Sequence, residues 1–85
     1  MLSRNQRNII RNLKDALILA RSNCLQAYER YAVFGAKDDS ELIYPLREKR
    51  LVKMAQLKRD FMKAFEDYNK ALIQYHAFVD GIYNE

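Results

Sequence analysis

Most side-chain chemistry needs a nucleophile or metal ligand with a second group beside it. The chain has one cysteine, Cys24, and one histidine, His76, 52 positions apart. A thiol that far from the histidine has no evident activating base. Cys24 therefore reads as a small core residue, the usual place for an unpaired cysteine. His76 has Asp80 four residues on, which makes two ligands where zinc sites take three or four. Glu66 and Asp67 are adjacent; on a helix they point about 100° apart and cannot act as a paired acid and base. The chain also lacks a phosphate-cradling glycine loop, HExxH and GxSxG. The expectation is a protein that is not an enzyme, with no cofactor and no metal site. A lone cysteine cannot form an internal disulfide, so an intracellular location is also expected.

Charge is the other chemistry in the sequence. The chain opens MLSRNQRNIIRNLK, with Arg4, Arg7, Arg11 and Lys14 and no acid. A second basic cluster holds Arg47, Lys49, Arg50, Lys53, Lys58, Arg59 and Lys63. By segment the net charge is +4 over residues 1–14, −2 over 15–46, +5 over 47–63 and −3 over 64–85. Three readings stand side by side. In a chain folded back on itself, the basic start meets the acidic end, a complementarity that sets helix orientation. Alternatively, Arg4, Arg7, Arg11, Lys14, Arg47, Arg50 and Lys53 contact nucleic acid or an acidic partner. Or the Arg-rich, acid-poor start serves import into mitochondria or contact with an anionic membrane. No transmembrane segment is expected: the longest uncharged run, residues 71–79, is nine residues, against the roughly 20 a spanning helix requires.

The elements that must carry these residues are helical. Eighty-five residues with two Gly and one Pro leave few turns for an all-β or α/β domain. Ile10, Leu13, Leu17, Ala20, Cys24, Ala27, Tyr31 and Phe34 alternate steps of three and four, a heptad seam. This predicts a first helix over about 4–34, capped by a left-handed Gly35. A second seam runs through Leu51, Met54, Lys58, Phe61, Phe65, Tyr68, Leu72, Tyr75, Val79 and Ile82, with only Lys58 out of character. A neighbouring stripe of Leu57, Ala64, Ala71 and Phe78 widens its apolar face. Pro45 suits the first residue of this second helix, and Asp80-Gly81 supplies a stop near residue 80. The turn falls at about 35–44, and the capping-box spacing of Asp38 and Glu41 suggests a short helical turn at 39–43. The expected architecture is one all-α domain over 1–85, an antiparallel two-helix hairpin that completes a helical bundle by oligomerising or by docking a partner.

Two helices share one seam, and small scaffolds of this kind seldom bury enough to stand alone. The wide apolar face of the second helix, through Leu57, Phe61, Phe65, Tyr68, Leu72, Tyr75 and Phe78, is the expected partner interface. The six tyrosines read as boundary residues or as an interface rich in Tyr. The functional expectation is an adaptor, small chaperone or accessory assembly subunit acting on itself or on another protein, in the cytoplasm or the mitochondrial matrix. The alternative is a nucleic-acid-binding helical dimer. In outline the hairpin resembles plasmid RNA-binding hairpin dimers, type III secretion needle subunits with their co-chaperones, and accessory subunits of mitochondrial complexes. That likeness is one of shape and implies no residue role.

Overall fold

The computed structural model describes residues 2–36 and 44–84, folded into two helices. Helix α1 (Arg4–Gly35) and helix α2 (Tyr44–Tyr83) pack against each other as an antiparallel hairpin. α1 starts at a cap made by its own first residues. Ser3 is extended, its Oγ accepts from the Gln6 N–H at 3.0 Å, and its own N–H donates to Gln6 Oε1 at 2.9 Å. This reciprocal pair satisfies backbone donors that a helix start otherwise leaves without partners. The S-x-x-Q spacing of this capping box is legible in the sequence. Pro45 lies in the first turn of α2, where its missing N–H costs no helical bond. The short turn expected at 39–43, with its Asp38–Glu41 capping box, lies outside the described residues.

Both glycines behave differently from expectation. Gly35 is the last residue of α1 and its φ is not positive; Ala36 follows in right-handed geometry and donates to Ala32 O at 3.0 Å. The left-handed cap is therefore absent. Glycine acts here through size: a Cβ at position 35 would sit 3.2 Å from Met54 Cε across the hairpin. Gly81 does not end α2, which continues to Tyr83. Ile82 still holds a seam position and is partly covered, so burial outweighs the roughly 1 kcal/mol helical cost of one glycine.

On α1 the eight expected seam residues are the ones turned inward along residues 10–34, all of them partly covered or buried. On α2 one covered row runs through Arg50, Met54, Leu57, Phe61, Ala64, Tyr68, Ala71, Tyr75, Phe78 and Ile82, again alternating four and three. The expected second seam shares five of these. Its other half divides: Leu72 and Val79 are partly covered as expected, whereas Leu51, Lys58 and Phe65 are exposed and the supposed side stripe of Leu57, Ala64, Ala71 and Phe78 belongs to the seam itself. Small residues explain the choice. Ala64 and Ala71 let α1 approach where Phe65 and Leu72 would hold it off, and Lys58 is spared burial.

Contacts near the closed end set the register: Gly35 meets Met54, and Tyr28 and Tyr31 meet Phe61. Continued by the heptad, that register brings Ala27, Cys24 and Ala20 level with Phe61, Ala64 and Tyr68. Phe61 and Tyr68 on α2 thus face the small Ala27 and Ala20 on α1, and Ala64 faces Cys24. The rod measures 64 × 15 × 14 Å with a radius of gyration of 19.2 Å, against about 12 Å for a compact domain of this length. Among the described residues no helix is long and apolar enough to cross a membrane.

Because neither glycine needs a left-handed backbone, alanine should be accepted at both. Gly81→Ala, with nothing within 4 Å of the added methyl, should stabilise by about 0.5–1 kcal/mol and raise the thermal midpoint by a few degrees. Gly35→Ala should leave stability unchanged or slightly higher, since the mobile end of Met54 can yield a few tenths of an ångström. A clear drop in the midpoint for Gly35→Ala, read by circular dichroism, would show that Met54 cannot yield to the added methyl.

Candidate functional site

The seam divides the rod into two broad sides with different chemistry. On one side Phe61 sits at the centre of an aromatic cluster. Tyr28 meets it edge-on at 5.3 Å, Tyr31 stacks near parallel at 6.4 Å, and Phe65 tilts against it at 6.1 Å. Phe61 is partly covered, whereas Tyr28 and Phe65 are 53% and 45% exposed. This contact ties the flanks of the two helices into one surface. From Tyr28 the flank of α1 runs back through Leu25, Arg21 and Ile18 by helical steps of three and four. From Phe65 the flank of α2 includes Met62. Ile18, Leu25 and Met62 are all more than half exposed. The described part of the chain thus presents an apolar patch near its middle, built from both helices.

The same flank of α1 continues as the basic stripe. Lys14, Arg11, Arg7 and Arg4 extend the line of Tyr28, Leu25, Arg21 and Ile18 toward the open end, and all five cations are exposed. Arg4, Arg7, Asn8 and Arg11 line a shallow hollow of about 360 Å³. Among the described residues none of these five cations makes an ion pair; a salt bridge from Lys70 Nζ to Glu66 Oε1 at 3.3 Å lies within α2. The charge pairing expected between the basic start and the acidic end is therefore not made as direct contacts among these residues.

The opposite side is more polar. It carries a shallow hollow of about 340 Å³ lined by Arg30, Val33, Phe34, Lys53 and Leu57. Near it, Arg50 turns inward: its Nη2 donates to Phe34 O at 3.2 Å and its guanidinium lies 5.5 Å from the centre of the Phe34 ring. A cation at the C-terminal end of α1 meets the negative pole of that helix and satisfies one of its last carbonyls.

The basic residues singled out from the sequence therefore do not form one surface. Arg4, Arg7, Arg11 and Lys14 lie at the open end. Arg47, Arg50 and Lys53 lie at the closed end, and Arg50 adjoins Phe34, about 35 Å along the helix from Arg11. Arg50 is also engaged within the hairpin, while Arg47 and Lys53 are exposed. The expected apolar interface divides likewise. Leu57 is buried, Phe61, Tyr68, Leu72, Tyr75 and Phe78 are partly covered, and Phe65 alone of the seven is exposed, at 45% of its surface. Sequence reasoning missed Ile18, Leu25 and Met62. The signal was present: Ile18 and Leu25 extend the spacing of the basic stripe.

Among the described residues no three of His, Cys, Asp and Glu gather where they could hold a metal ion. Cys24 is buried in the seam. His76 is exposed beside Tyr75, their rings 5.5 Å apart. Comparison with protein families, curated proteins and solved structures finds no match to this chain.

The two phenylalanines at the cluster separate the fold from its surface. Phe61→Asp places a carboxylate among Tyr28, Tyr31 and α1, and should cost about 3 kcal/mol or more, enough to lower helicity in far-ultraviolet circular dichroism. Phe65→Asp removes a half-covered ring from the flank of Phe61 and should cost less, about 1 kcal/mol. Equal losses of helicity in the two variants would show that the seam is not where these contacts place it.

Proposed function

We propose that this hairpin is a non-enzymatic protein-interaction module that docks through one apolar side, in the manner of an adaptor, small chaperone or assembly subunit. One observation carries the reading. The described residues bury only Cys24, Ala27 and Leu57 below a tenth of their surface, while Ile18, Leu25, Tyr28, Met62 and Phe65 gather exposed on one side. An apolar patch rimmed by charge is what a docking surface looks like in a protein without its partner. Cytoplasm and mitochondrial matrix both suit it. The experiment is light scattering and hydrophobic-dye fluorescence on the purified chain beside the double variant Leu25→Asp, Phe65→Asp. The wild type should self-associate or bind the dye, and the variant should do neither while keeping its helicity. A wild-type chain that is a stable monomer and binds no dye would remove the proposal.

A second reading is favoured by a separate observation, the unpaired basic stripe of Arg4, Arg7, Arg11 and Lys14. As a nucleic-acid contact it would meet up to four phosphates, and the logarithm of affinity would then fall with that of salt at a slope of about −3 to −4. Titration of duplex RNA and DNA at low salt should show that slope and its loss in Arg7→Glu, Arg11→Glu. Absence of binding at low salt eliminates this reading.

A further inference from the structure

The apolar patch and the basic stripe lie on one line, and their order along it specifies more than docking in general. We infer that this side of the hairpin receives a single amphipathic helix of a partner protein, apolar over one half and acidic over the other. The inference rests on the docking reading above and names the chemistry of the partner.

The geometry comes first. From Arg4 to Tyr28 the flank of α1 rises about 36 Å, the length of a helix of roughly 25 residues. Its closed-end half is Ile18, Arg21, Leu25 and Tyr28, apolar but for Arg21 and backed by Phe65 of α2; its open-end half is Arg4, Arg7, Arg11 and Lys14. The α2 flank beside it, by steps of three and four from residue 55 to residue 83, contains no acid. Among the described residues nothing on this side neutralises the stripe.

Charge decides between the occupants. A second copy would bring a side whose α2 flank, by the same steps, holds a single described acid, Glu48. With the two rods aligned head to head, cations would face cations; head to tail, the stripe would lie over Leu51, Ala55 and Lys58 of the other copy, with Glu48 as its one described acid. An anionic membrane requires an apolar face running the length of the helix with cations along its margins, whereas here the cations replace the apolar residues over half the length. A phosphate backbone would leave Ile18, Leu25 and Phe65 uncovered. A partner helix divided lengthwise into apolar and acidic halves meets both parts at once, its acids steering and orienting the encounter and its apolar residues filling the patch.

The test uses the whole chain and a synthetic helical peptide of about 25 residues with Leu on the docking stripe of one half and Glu on that of the other. Its twin carries Lys in place of Glu. Fluorescence anisotropy at low salt should show the acidic peptide binding at least about tenfold more tightly than its twin, an advantage that fades as salt screens the pairing. Arg7→Glu, Arg11→Glu should reverse the preference, and Leu25→Asp should weaken both peptides with helicity unchanged. Equal binding of the two peptides, or a stable dimer that hides Phe65 in light scattering and hydrogen exchange, overturns the acidic partner and leaves docking standing. Binding to anionic vesicles or to duplex nucleic acid, with no discrimination between peptides, assigns the stripe to those surfaces and overturns it too. A monomer that binds neither peptide and no hydrophobic dye overturns this inference and the docking reading together.

Discussion

Two helices have a single line of contact, and every other property of this protein follows from how little that line can bury. A helix in a larger domain covers its apolar stripe from several directions. Here each stripe is covered from one. No side chain among the described residues is sealed completely from water, and the deepest are the small Cys24 and Ala27 with Leu57. Smallness at Ala20, Cys24, Ala27, Ala64 and Ala71 lets the axes approach and lets Phe61 and Tyr68 interdigitate. The same smallness limits the area withdrawn from water, at roughly 25 cal/mol for each Å².

That limit gives the outer surface its meaning. Apolar residues scattered singly on a surface are ordinary. Tyr28 and Phe65 are joined by contact through Phe61, and Ile18, Leu25 and Met62 lie on the same side by helical spacing. The opposite side is more polar, with Arg30 and Lys53, although Leu19 and Val33 are exposed there as well. Arg50 shows what a cation does when the fold employs it: it is drawn in to cap the end of α1. The five cations along α1 are not drawn in, and that contrast separates charge that serves the fold from charge that faces outward.

Much of the fold was legible in the sequence. The α1 seam has one apolar stripe and polar residues elsewhere, so its periodicity has a single solution, and all eight residues were identified. On α2 the apolar residues fill two adjacent stripes, and periodicity alone cannot say which faces a partner helix and which faces out. Lys58 held the clue, since a lysine in every otherwise apolar row argues for shifting the row. Gly35 was read by its commonest use, as a left-handed cap; what governs it is a methionine nineteen residues further on, a tertiary contact that no local pattern carries. The candidate site was legible in part. The basic stripe was seen at its true spacing, but its continuation into Ile18, Leu25 and Tyr28 went unnoticed because the stripe changes character midway. That two basic clusters stand at opposite ends of a rod follows only once the hairpin is drawn to length.

The 64 Å rod also has a direction in time. Contacts at the closed end, such as Arg50 with Phe34, link residues sixteen apart, whereas those pairing the first turns of α1 with the last turns of α2 close loops several times longer. Loop-closure entropy makes the near contacts the ones that form early, so the hairpin zips from its turn outward and frays from the other end first. Arg4, Arg7 and Arg11 lie on that fraying end. Whatever engages them would clasp the last teeth of the zipper, so that binding at one tip would lengthen the life of the fold as a whole.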